Sequence, residues 1–116
     1  MPDKREKGIK GEETALRFLK KEGYRIITQN YRSRFGEIDI IAEEDGCLVF
    51  IEVKSRSNKA FGGPFDSINS TKKRHMIQSA ISYMKTNECF GRKIRFDVVG
   101  IESGSVKIIK HAFIAE

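Results

Sequence analysis

Two short stretches of this sequence carry charged residues at alternate positions on either side of a turn. Glu37 and Asp39 precede Asp45-Gly46, and Glu52 and Lys54 follow it. Asp-Gly between β-branched runs is a strong signal for a two-residue hairpin, because a type I′ turn needs positive φ at both central positions. Counting outward from the turn sets Asp39 opposite Glu52 and Glu37 opposite Lys54. Cross-strand Cβ atoms lie about 4.5–5.5 Å apart, and like charges there are destabilising unless something positive sits between them. A divalent cation would satisfy that geometry. Alternation places Glu37, Asp39, Glu52 and Lys54 on one face and Ile38, Ile40, Ile51 and Val53 on the other. The plainer alternative is a solvated polar face on which Glu37 and Lys54 form an ordinary surface pair.

A third carboxylate comes from the element before the strands. From Ile9 to Glu22 the residues Ile9, Ala15, Leu16, Phe18 and Leu19 recur at helical spacing, with Lys10, Arg17 and Lys21 on the other side, and Gly23 ends the helix. On a wheel of about 100° per residue, Glu12 falls at the centre of the apolar face. A core-facing carboxylate is costly unless paired or metal-bound. Either Glu12 reaches an Arg or Lys at the helix end, or it leans over the carboxylate face. In the second case Glu12, Asp39 and Glu52, beside Lys54, form an all-oxygen site suited to Mg²⁺ or Mn²⁺. Such an ion binds a phosphate oxygen and lowers the pKa of an attacking water, while Lys54 orients that water or neutralises developing charge. The chemistry implied is phosphodiester hydrolysis.

The elements that must position these residues fit one domain of 116 residues, with 39% hydrophobic and 33% charged composition. Residues 1–8 read as a flexible lead-in. Tyr24–Asn30, Phe35–Glu43 and Cys47–Lys54 read as three strands. Ser55–Asn69, with Gly62, Gly63 and Pro64, reads as a loop long enough to suspect a function. Ser70 then caps a second helix with a core face of Met76, Ile77, Ala80, Ile81 and Met84, closed by Asn87–Gly91. Ile94–Ile101 and Val106–Ile114 finish the chain as strands around Ser103-Gly104. The order αβββαββ predicts an α/β or α+β domain with a mixed sheet.

Lys plus Arg number 22 against 16 for Asp plus Glu, a net charge of +6, which favours a polyanionic partner. Arg32, Arg34, Arg56 and Lys59 sit beside the acidic face, and with Phe61 and Phe65 they could hold a nucleic-acid backbone and stack on bases, although two such Phe more often form a small loop core. The run Lys72-Lys73-Arg74-His75 opens a helix, where positive charge opposes the dipole and a bound phosphate would relieve it; the alternative is a solvated turn. His75 and His111 have no partner at metal spacing and read as structural. Cys47 and Cys89 are too few for a disulfide framework or a zinc cluster and read as reduced. The longest apolar runs fall far short of the ~20 residues of a membrane span. The charged N-terminus lacks an apolar signal core, so a cytoplasmic protein is expected.

Gly36-Glu37-Ile38-Asp39 followed by Glu52-Val53-Lys54 resembles the signature of the PD-(D/E)XK nuclease superfamily. More closely, Gly11-Glu12, Gly36-Glu37-Ile38-Asp39, Phe50 to Arg56, Lys72 and Arg95-Phe96-Asp97-Val98-Val99 resemble the bacterial YraN-like family, over about Gly8 to Phe113. The resemblance implies a restriction-endonuclease-like fold similar to archaeal Holliday-junction resolvases, and a nucleolytic role in DNA repair or recombination on branched or flapped DNA. It makes Asp39 and Glu52 metal ligands, Lys54 catalytic and Glu12 an auxiliary acid. It also makes Lys72 a phosphate or supporting group, although the helical wheel does not choose it cleanly, because Lys73 points nearer the apolar face while Lys72 lies at its edge. Ile38 stands where the superfamily has proline. Asp97 is expected only to pair with a basic neighbour, and a homodimer is suggested by analogy with resolvases. The competing reading is a nucleic-acid-binding module that keeps the nuclease fold without turnover.

Overall fold

The structure, a computed structural model, describes residues 4–56 and 69–114, the side chains of 4–10 and of 56 excepted. The chain runs α1 (Lys4–Lys21), β1 (Arg25–Ser33), β2 (Gly36–Glu44), β3 (Cys47–Arg56), α2 (Ser70–Thr86), β4 (Ile94–Glu102) and β5 (Ser105–Phe113). The order αβββαββ is the one predicted. The first helix begins at Lys4, before the apolar pattern does, so part of the stretch read as a flexible lead-in is helical. Among the described residues, no helix is long and apolar enough to cross a membrane.

Asp45 and Gly46 take φ of 54° and 77°, as a type I′ hairpin requires, and β2 pairs antiparallel with β3 through them. The five strands lie in the order β1-β2-β3-β4-β5. Neighbours are antiparallel except β3 and β4, which are parallel. A parallel pair needs a long crossover, and α2 lies in it. The result is a mixed α/β sheet with a helix on each face.

Both faces are apolar, so β2, β3 and β4 are buried on both sides. Ala15 and Leu19 of α1 pack with Ile40, Ala42, Val49, Ile51, Val99 and Ile101. Met76, Ala80 and Met84 of α2 pack with Ile38, Ile41, Leu48, Phe50 and Phe96. Ile81, expected in the core of α2, is 46% exposed, and Ser79 is buried instead. The reason is polar: Ser79 Oγ stands 2.8 Å from Ser33 Oγ, tying α2 to the end of β1. The cap of α2 is Asn69 rather than Ser70, its Oδ1 accepting from Lys72 N at 2.9 Å.

At the β2–β3 turn end of the sheet the frame is fixed by a buried ion pair. Asp97, fully buried, accepts from Tyr24 Oη at 2.7 Å, from Arg95 Nε and Nη2 at 2.8 Å each, and from the His111 backbone N–H at 3.0 Å. The β4–β5 ladder jumps from Phe96↔Phe113 to Val98↔Ile109, so residues 110–112 bulge opposite Asp97 alone. The carboxylate fills the gap that the bulge leaves. The expected pairing of Asp97 with a basic neighbour is present, and it is structural.

Candidate functional site

The β2–β3 ladder runs from Glu44↔Cys47 to Ile40↔Ile51 and ends there. The pairs expected beyond it, Asp39 with Glu52 and Glu37 with Lys54, are not formed. Asp39 Oδ2 instead accepts the Val53 backbone N–H at 2.8 Å. Ile38 packs with the α2 cluster and Ile40 with the α1 cluster, so β2 changes face at Asp39 and the expected single face of four charged residues is corrected. The cause lies on the neighbouring strand. Gln29 and Tyr31 pair with Ile40 and Ile38, and between them Asn30 takes φ of 53°, a left-handed conformation that Asn tolerates better than most residues and that breaks the pleat beside Asp39.

Glu52 is 4% exposed. Its Oε1 stands 3.5 Å from Lys54 Nζ and 3.3 Å from Lys72 Nζ, and its Oε2 has no hydrogen-bond partner among the described residues. Asp39 lies close enough to feel that charge. Burial, and then the Glu52 carboxylate, push the Asp39 carboxyl up to about 7, against the Val53 N–H that favours its ionised form.

Glu12 is brought in by the way α1 lies on the sheet. Gly11 is buried, and a Cβ there would meet Ser55 Cβ at 3.4 Å, so α1 rides close over the end of β3. Glu12 is half-buried at the edge of the helix's apolar stripe rather than at its centre. Burial raises its pKa, the hydrogen bond from Asn30 opposes this, and the charges of Glu37 and Glu52 add to the rise. Of the two alternatives for Glu12, its carboxylate neighbours put it over the acidic end.

The other expected residues divide. Lys72 reaches the site through Glu52, whereas Lys73 Nζ lies over the Phe113 ring, 5.8 Å from its centroid. Arg32 Nε is 3.8 Å from Glu37 Oε2. Arg34 stacks on Phe35 at 4.8 Å beside Gly36, whose φ of 138° reserves that place for glycine. Arg56 is in β3 by its backbone; its side chain, together with Lys59, Phe61 and Phe65, lies outside the described residues.

Among the described residues, no group of three or more His, Cys, Asp or Glu stands in a geometry that would hold a metal ion. The donor set still fits a hard divalent cation: three carboxylates act on one another, and a buried carboxylate oxygen is left unpartnered. Asn30 is the site residue that the sequence pattern did not reveal, since nothing in an alternating strand announces a left-handed residue.

A family model described as the uncharacterised protein family UPF0102 matches residues 11–101. UPF0102 proteins similar to this chain include one from Persephonella marina, 43% identical over 107 residues and 92% of each chain. One from Desulfosudis oleivorans is 45% identical over 108 residues, 91% of this chain and 88% of its own. One from Sulfurihydrogenibium sp. is 40% identical over 114 residues, 98% and 99% of the two chains.

Proposed function

The chain belongs to the UPF0102 family, whose matched span holds every residue of the acidic end, and we propose that it is a divalent-metal-dependent nuclease hydrolysing DNA phosphodiester bonds. The observation that carries this reading is Glu52, a buried carboxylate with one oxygen shared by two lysines and the other unpartnered, beside an Asp39 whose carboxyl is held near neutral pH by burial and by that charge. Two carboxylates that repel each other out of water are poised for a cation. The resemblance to PD-(D/E)XK nucleases supports the same reading and a restriction-endonuclease-like core.

Asp39, Glu52 and Glu12 would hold Mg²⁺ or Mn²⁺, which supplies a Lewis acid for the phosphate and an activated water. Lys54, on Glu52, would orient that water or meet charge developing on the phosphate. Lys72, in the first turn of α2, would steady a non-bridging phosphate oxygen. Arg32 and Arg34, on the β1–β2 hairpin, would track the backbone.

The test is cleavage of labelled duplex, single-stranded, flap and four-way-junction DNA in Mg²⁺ or Mn²⁺, with Asp39→Asn alongside. Cleavage by the wild type that the variant lacks supports the reading. Equal DNA binding by both proteins without cleavage replaces it with a non-catalytic nucleic-acid-binding module.

A further inference from the structure

Asn30 lies on an edge strand and is exposed, yet its side chain turns back onto two acids from two different elements. With its amide nitrogen toward them it donates to Glu37 Oε1 at 2.9 Å and to Glu12 Oε1 at 3.1 Å. An amide NH₂ has two hydrogens and can serve two acceptors at once. Without such a donor, two carboxylates this close would repel each other, and Glu12, on a helix that no strand ladder fixes, would swing toward water. The left-handed φ of 53° turns the Asn30 side chain out of the regular alternation of its strand.

We propose that Asn30 is a positioning residue: its side-chain amide clamps the carboxylates of Glu12 on α1 and Glu37 on β2 beside Asp39, and so sets where α1 delivers its acid. The importance of the clamp rests on the metal-site reading above; its existence does not. Supporting partners of this kind, hydrogen-bonded to ligands, typically govern metal affinity by about 10–100-fold.

Asn30→Gly separates side chain from backbone, since it keeps the left-handed conformation without strain and removes the amide. The clamp is read first by nuclear magnetic resonance on the ¹⁵N-labelled full chain. The Asn30 side-chain NH₂ is expected to give resolved, slowly exchanging signals that move to the free-amide position in Glu12→Ala and in Glu37→Ala. Free-amide signals in the wild type overturn the proposal. Its consequence is read by Mn²⁺ titration, where Asn30→Gly should bind roughly tenfold more weakly or worse. The Asn30→Gly, Glu12→Ala double variant should then lose no more than Glu12→Ala alone. Wild-type affinity in Asn30→Gly, or additive losses in the double variant, overturn the positioning role. A wild type that holds the amide but binds no Mn²⁺ supports the clamp and sinks the metal reading instead.

Discussion

Lys72 of α2 and Glu52 of β3 meet at 3.3 Å, on the same carboxylate oxygen that Lys54 approaches at 3.5 Å. The first turn of the second helix is thereby attached to the strand that carries the central acid. One lysine comes from Glu52's own strand and the other from α2, so the two can be separated by substitution.

Lys54→Met should abolish cleavage by at least about 100-fold with little change in DNA binding, as loss of a group acting on the reacting phosphate does. Lys72→Met should weaken binding and cleavage together. Single-turnover kinetics at saturating DNA tells the two patterns apart.

The pH dependence of stability follows from Asp39. Its folded-state pKa is raised from 3.8 to about 7, so between those values the folded protein holds a proton that the unfolded chain has lost. Stability from this group therefore falls as pH rises from about 4 to about 7 and levels off above. Asp39→Asn should flatten that decline relative to wild type, and Mn²⁺ should reverse it in the wild type alone. Urea denaturation at pH 5, 6, 7 and 8 measures both.

DNA affinity should depend on salt, and each phosphate contact removed should lower the slope of log K against log salt by roughly 0.9 on duplex DNA. Arg34→Ala is expected to show that loss. Lys73→Ala should show much less, because Lys73 lies against Phe113. Fluorescence anisotropy between 50 and 200 mM salt, roughly the range over which such effects are large, reads both slopes.

Two glycines of the matched motifs should behave oppositely to a single methyl. Gly36→Ala places a side chain at φ of 138° and should cost roughly 1–3 kcal/mol. Gly11→Ala meets Ser55 Cβ at 3.4 Å, an ordinary contact, and gains helix propensity of up to about 1 kcal/mol, so it should be near neutral. Thermal denaturation of the pair decides.

Asp97→Ala should lower stability by about 1–3 kcal/mol, because it takes the acceptor from the Tyr24 hydroxyl and the His111 backbone N–H and leaves Arg95 paired with Glu44 alone. Tyr24→Phe should cost about 1–2 kcal/mol. Neither should change the cleavage rate per folded molecule, which active-site titration checks.

Much of this was legible in the sequence. The Asp45-Gly46 turn fixes the hairpin register, and that register holds as far as Ile40 and Ile51. It fails at the next pair, Asp39 and Glu52 themselves, because counting by twos assumes an unbroken pleat and Asn30 breaks it on the adjacent strand. The periodicity of α2 finds Met76, Ala80 and Met84 but misplaces Ile81 and Ser79. A helical wheel ranks residues by hydropathy and cannot see that Ser33 is waiting for a hydroxyl partner. The anchor around Asp97 joins residues over seventy positions apart in sequence, as Tyr24 and Asp97 are. No local pattern encodes such a meeting.

Both outermost strands carry a non-glycine residue in the left-handed region: Asn30 at 53° in β1 and His111 at 57° in β5. Each strand also has a bulge, around Ile27 in one and at 110–112 in the other. A straight free edge is a template for open-ended pairing with another copy, and interruptions of this kind blunt it. The kink that aims the acids thus also guards against aggregation. A substitution that straightened β1 at Asn30 would show its effect as lost solubility as well as lost chemistry.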